Sequence, residues 1–220
     1  MSRRTLIIIA MLYLPKQADG QVVVRDFQVW SSVQINKDIG TKWSVSLENQ
    51  IRLEHDAKQF DENLTQLELD FSPFKSWQFS LGFREIRHRT GSGDFENRMR
   101  IHLDAGYSLE INRLEAGVRA RIQFRSDEGE DQLLNDFRSR LMLDYNIPSW
   151  KLDPFVYGEV DFRLPGREPF GYYSFRMVLG LIWKISTLHR LRFFYMLERE
   201  QQEYYPFTAN RLGIEYQIRL

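Results

Sequence analysis

The stretch Arg98-Met99-Arg100-Ile101-His102-Leu103-Asp104-Ala105-Gly106-Tyr107-Ser108-Leu109 alternates apolar and polar side chains without a slip. A strand turns successive side chains to opposite faces, so this segment has one greasy face and one charged face. The same rhythm closes the chain, where Leu212, Ile214, Tyr216, Ile218 and Leu220 alternate with Arg211, Gly213, Glu215, Gln217 and Arg219. It scarcely pauses from Phe27 onward. The fold class is therefore all-β.

Working outward, eleven strand-like segments cover 27–36, 42–53, 63–72, 76–87, 97–110, 113–125, 134–147, 152–163, 172–185, 189–199 and 209–220. Their lengths suit tilted strands that cross a bilayer. Short turns near Lys37–Thr41, Pro73–Ser76, Ile111–Asn112, Pro148–Lys151 and Ser186–Leu188 alternate with longer polar loops near Glu54–Glu62, His88–Glu96, Ser126–Leu133, Pro165–Gly171 and Glu200–Thr208. Trp43, Trp77, Leu114, Leu152 and Leu191 each open the strand after a short turn, which makes the hairpin and its loop the repeating unit.

Alternation alone does not say which face is inside. A soluble barrel turns its greasy face inward, but at ten or more strands side chains no longer fill the interior. The aromatics decide it. Trp43, Trp77, Tyr107, Tyr145, Trp150 and Trp183 gather near the short turns, and Phe95, Phe124, Phe137, Phe162, Tyr172, Tyr173, Tyr204 and Tyr205 near the long loops. Two aromatic girdles mark the interfaces of a transmembrane barrel, with short turns in the periplasm and long loops outside. The expectation is a single antiparallel up-and-down transmembrane β-barrel of about 10–12 strands. Eleven sits badly with the even numbers usual in such barrels. Either a strand is hidden, or 27–36 lies in the lumen or periplasm, or the topology is reversed.

The N-terminus reads as an export signal. Arg3 and Arg4 precede the apolar run Thr5–Leu14, Pro15 ends it, and Ala18-Asp19-Gly20 offers a cleavage site before Gln21. The domain reading is thus a signal peptide at 1–20 and a barrel at 21–220. Thirty basic and thirty acidic residues balance over the whole chain, and 27 basic and 29 acidic remain after the signal is removed. This gives no basic stripe for nucleic acid. Cysteine is absent, which excludes disulfides and thiolate metal sites.

The polar face is where function must be sought. Its lumen-facing candidates are Arg84, Arg98, Arg100, Asp104, Arg119, Arg121, Arg138, Arg140, Asp144, Glu159, Asp161 and Arg176. Opposite charges facing one another across neighbouring strands close a narrow lumen. An arginine-rich wall instead favours anions. The mixed signs favour pairing. Catalysis has little to stand on: His88 and Ser92 share a loop but match no hydrolase signature, and the remaining histidines show no metal-ligand spacing. The acidic run Ser126–Asp131 lacks the oxygen spacing of a calcium loop. No catalytic, cofactor or metal site is expected.

Lys42-Trp43-Ser44-Val45-Ser46-Leu47-Glu48, with Ile51-Arg52-Leu53, recurs as Trp77-Gln78-Phe79-Ser80-Leu81-Gly82-Phe83-Arg84. With the upstream Asp26-Phe27-Gln28-Val29-Trp30 it resembles the bacterial envelope family called domain of unknown function 2490, over nearly all of the mature chain. Glutamine at the mature start resembles exported proteins of the Bacteroidota. The last strand resembles the C-terminal assembly signal of membrane barrels, with Leu220 where an aromatic commonly stands. The resemblance implies an outer-membrane barrel with no agreed activity and no functional residues to carry over. The expected role is a narrow pore-like or structural envelope component. An assembly subunit of a larger outer-membrane complex is the alternative, and a rim-sited lipid hydrolase a third reading. The expected partners are outer-membrane lipid and lipopolysaccharide, the barrel-assembly machinery and other outer-membrane proteins.

Overall fold

The structure, a computed structural model, describes residues 24–201 and 206–220. The export signal at 1–20 and two girdle residues, Tyr204 and Tyr205, lie outside the described residues. Eleven strands run in chain order: β1 (Val24–Ile39), β2 (Trp43–Glu54), β3 (Gln59–Phe74), β4 (Trp77–Arg89), β5 (Phe95–Ile111), β6 (Leu114–Asp127), β7 (Leu134–Tyr145), β8 (Leu152–Arg163), β9 (Gly171–Lys184), β10 (His189–Glu200) and β11 (Phe207–Arg219). Each pairs with its sequence neighbour, and β1 pairs with β11 to close the barrel.

The closing pair is parallel, from Val24 opposite Phe207 to Asn36 opposite Arg219. In an up-and-down meander an odd strand count sends the first and last strands in the same direction, so the seam must be parallel. The expected wholly antiparallel wall is corrected at this one ladder. β1 is a full member of the wall, neither lumenal nor periplasmic. Parallel ladders are slightly weaker per residue, and side chains reinforce this one. Arg211 Nε donates to Gln28 Oε1 at 2.6 Å, Gln217 Nε2 to Gln34 Oε1 at 3.3 Å and Arg219 Nη2 to Asp38 Oδ2 at 2.6 Å.

Several strands also run further than the sequence pattern predicts, most at β1 and β3, so the long loops expected after β2, β4 and β6 shrink to 55–58, 90–94 and 128–133, while the one after β8 keeps its seven residues at 164–170. The lumenal charges at the strand ends keep pairing across strands above the apolar belt and carry the ladder with them. His88 at the end of β4 lies 3.2 Å from Asp61 near the start of β3, for example.

The apolar face is outside. Ile101 and Leu103 are about half exposed, while His102 between them is fully buried. At the short-turn rim Trp77 packs on Tyr107 with ring centroids 5.0 Å apart, and Trp43 on Phe71 at 4.4 Å. At the other rim Phe162 stacks on Phe170 and meets Tyr172 edge-on. Tyr173 leaves this girdle. A register shift between Asp161 and Phe162 turns it inward, where its hydroxyl donates to Glu200. One outward sector breaks the belt. Asn49, Asn63, Thr65, Glu85, Arg87 and Asn97 stand together on β2–β5, above only four apolar residues on β4 (Trp77, Phe79, Leu81, Phe83).

Part of the inner wall is apolar. Phe155, Val178 and Met196 form a buried cluster joined by Trp30, Tyr157, Ile182 and Phe194. Glycines opposite these rings make the room. A Cβ on Gly213 would lie 1.9 Å from Phe194 Cζ, and one on Gly180 would lie 2.6 Å from Phe155 Cζ and 2.3 Å from the Phe193 carbonyl oxygen. Because a backbone atom blocks the way, Gly180→Ala is expected to destabilise the barrel by about 1–3 kcal/mol. Gly106→Ala, whose new Cβ meets nothing closer than 3.6 Å, is expected to be tolerated. Heat-modifiability on gels compares the two: equal melting of both variants contradicts the packing described.

Candidate functional site

The lumen holds a cavity of about 690 Å³ with a predominantly polar lining. It reaches the rim at Glu54, Asp61, His88 and Glu200 and extends down past Gln34, Glu48 and Gln217. Ten of the twelve predicted lumenal residues line it: Arg84, Arg98, Arg100, Arg119, Arg121, Arg138, Arg140, Glu159, Asp161 and Arg176. Asp104 and Asp144 are also on the inward face but lie outside the cavity lining.

Strand register builds the centre of this site. Glu159 on β8 stands directly between Arg140 on β7 and Arg176 on β9. Arg140 reaches its Oε2 at 2.8 Å and Arg119, one strand further on, at 3.2 Å. Arg176 reaches its Oε1 at 2.9 Å and Arg138 at 3.4 Å. Four guanidiniums thus converge on one carboxylate that is 2% exposed. Asp161 accepts from Arg138 through two nitrogens, at 3.0 and 2.7 Å. Arg176 continues to Glu198, which also pairs with Arg211. The network therefore runs from β6 to β11.

A second network lies across β3–β6. Arg121 holds both oxygens of Asp104 at 2.7 Å, the bidentate geometry that planar guanidinium favours. His102 Nε2 lies 2.8 Å from Glu68 Oε2. Its ring covers Gly82, where a Cβ would fall 2.0 Å from the imidazole. Aromatic faces hold other arginines: Arg52 and Arg211 over Trp30, Arg192 over Phe155, Arg140 over Tyr157 and Arg163 over Tyr173.

Not every arginine has an acid. Arg98 reaches Glu96 at 3.4 Å and, more distantly, Asp127 and Glu62. Arg84 donates to the neutral Gln66 at 2.7 Å. Arg100 makes no ion pair among the described residues, and its buried Nε has no hydrogen-bond partner.

Two groupings were invisible in the sequence because their members sit on different strands. Asp61, Glu62 and His88 gather near the cavity mouth, and Glu68, His102 and Asp104 gather deeper; in each the potential ligand atoms lie within 4.8 Å of one another. Guanidinium already supplies positive charge to both, from Arg52 at 2.8 Å on Glu62 and from Arg121 on Asp104. His88 is engaged with Asp61 at 3.2 Å, while the Ser92 hydroxyl bonds Thr90 and Asp94. The pair therefore has the contacts of a rim fastening and not those of a nucleophile and its base. The acidic run at 126–131 is likewise held by arginine, with Asp127 at 2.9 Å from both Arg125 and Arg167. His189 opens β10 and stacks on Tyr216, whose hydroxyl is 2.8 Å from its Nδ1.

Removing one partner of a buried pair leaves the others uncompensated at a cost of about 3–5 kcal/mol. Glu159→Gln is therefore expected to lower barrel stability by ~3–5 kcal/mol. Breaking the exposed Lys75–Glu110 pair by Lys75→Ala is expected to leave it unchanged. Denaturant titration in micelles measures both, and equal midpoints for wild type and Glu159→Gln contradict the convergence of charge on Glu159.

A comparison with curated proteins found no match. Among solved structures, the NanC porin aligns with a TM-score of 0.48 at 12% identity, over 78% of this chain and 86% of its own. The KdgM porin aligns at 0.46 and 12% identity, over 74% of this chain and 80% of its own. A loop-deletion mutant of OmpT, an outer membrane protein of Vibrio cholerae, aligns at 0.46 and 12% identity; it covers 80% of this chain, which spans only 59% of OmpT. A model of the family described as protein of unknown function (DUF2490) matches residues 27–205, from the first turns of β1 to the last loop. The chain belongs to that family and folds as a closed β-barrel.

Proposed function

We propose that this barrel is a narrow, charge-lined passage of the bacterial outer membrane, without enzymatic activity, to which the chain is exported by a cleaved signal at 1–20. The observation that carries this reading is the polar cavity of about 690 Å³ that opens at one rim and runs down the barrel axis. Apolar side chains pack on one wall, at the Phe155–Val178–Met196 cluster, and most of the remaining interior carries charge around open space. The arginine–carboxylate pairs narrow the bore, so the solutes it suits are small and hydrophilic.

Reconstitution into planar bilayers tests this. Discrete conductance steps smaller than those of wide porins are expected from the purified, correctly folded protein. A folded but electrically silent barrel overturns the proposal.

The outward polar sector favours a second reading, an assembly subunit that docks laterally. Glu85 and Arg87 face outward where the rest of the belt is apolar. On the lipid face such charges cost up to about 2–4 kcal/mol at the midplane and little near the interface. A protein neighbour would give them hydrogen-bond partners. Purification in mild detergent should then retain a partner that is lost on Glu85→Ala with Arg87→Ala, and recovery of the wild type alone would count against this second role.

A further inference from the structure

The lumenal charges are not evenly matched. Arg84 on β4 and Arg100 on β5 are direct cross-strand partners, and Arg100 in turn faces Arg125 on β6. Like charges directly opposite one another destabilise a sheet. Elsewhere in this lumen such pairs are relieved by acids: Arg119 opposite Arg140 shares Glu159, and Arg121 opposite Arg138 has Asp104 and Asp161. Arg84 and Arg100 have no such relief, since no carboxylate lies within 4.0 Å of either among the described residues. Arg125 is neutralised by Asp127 at 2.9 Å. The strongest fields at Arg100 come from Arg84, Arg138, Arg125 and Arg52, all of its own sign. Acids act on the pair only from beyond ion-pair distance, Glu48 on Arg84 and Glu62 on Arg100.

A guanidinium does not shed its proton in a protein. Two of them side by side, one with a buried and unpartnered Nε, therefore demand negative charge. Both line the cavity, which opens to the rim. Their planar forks match carboxylate and phosphate oxygens. We propose that Arg84 and Arg100 form a binding site for small oxyanions, carboxylate- or phosphate-bearing, inside the lumen. This goes beyond the passage reading and does not need it, because a site of this kind binds whether or not the barrel conducts.

The test uses the full folded barrel in zwitterionic detergent, titrated calorimetrically with inorganic phosphate and separately with citrate at constant ionic strength. Saturable binding of at least one anion is expected. Phosphate alone, citrate alone or both then identifies which oxyanion chemistry the site takes. Arg84→Gln and Arg100→Gln should each weaken it by about tenfold or more, as expected for losing a charged hydrogen-bond donor. Neither variant breaks an ion pair within 4.0 Å among the described residues, so both should fold, and Arg100→Gln should melt no lower than wild type at low salt. Arg219→Gln, at the exposed short-turn rim beside Asp38, should bind as wild type does. Absence of saturable binding of either anion overturns the proposal, as does binding unchanged in Arg84→Gln and Arg100→Gln. A silent barrel that binds overturns only the passage, and a conducting barrel that does not bind overturns only the site.

Discussion

Every backbone N–H and C=O that meets lipid must find a partner within the protein, and a sheet achieves that only by closing on itself. Eleven strands make this demand unusually explicit, because the closing ladder has to be parallel. The chain meets it over thirteen consecutive residue pairs, and it staples the same seam from inside and at its lower rim with Arg211, Gln217 and Arg219. The odd count and the side-chain chemistry at the seam belong together. A seam lined with small apolar residues would have only its backbone to hold it.

Closure also explains the lumen. Once the apolar set faces lipid, period two sends most of the charged residues inward, into a confined space. The charges then solve one another's desolvation, and long arginines do most of it by reaching across one or two strands to a few short acids. Glu159 serves four of them, Asp161 shares Arg138 with it, and Glu198 shares Arg176 and adds Arg211. Aromatic faces at Trp30 and Tyr157 accommodate Arg211 and Arg140, two of the arginines that crowd these acids. On β4 and β5 the supply of acids runs out, which makes the interior chemically uneven.

The wall was legible in the sequence because its signal is local: residues 98–109 show both faces without knowing any neighbour. The strand count was legible for the same reason. What failed was non-local. Parity argued against eleven strands until the parallel seam reconciled them, and no single segment carries information about its closing partner. Tyr173 was misplaced by one register shift, which reverses inside and outside for a period-two element. The candidate arginines and acids could be named from alternation, but not their convergence on Glu159. That depends on the stagger of four strands. The Asp61–Glu62–His88 and Glu68–His102–Asp104 groupings were hidden likewise, since each draws on separate strands.

The outward polar sector on β2–β5 bears on how the molecule sits in its bilayer. On β9 the lipid-facing run extends from Trp183 through Leu181, Leu179 and Met177 to Phe175, whereas on β4 it stops at Phe83. A two-residue step along a strand rises about 6–7 Å before tilt is taken into account, so the greasy band is lower on one flank than on the other. Hydrocarbon adjusts to such a mismatch at modest cost by local thinning, or the barrel leans. Either response makes the surrounding bilayer asymmetric about the barrel axis, so neighbouring lipids and proteins encounter a front and a back on a wall that is otherwise nearly cylindrical.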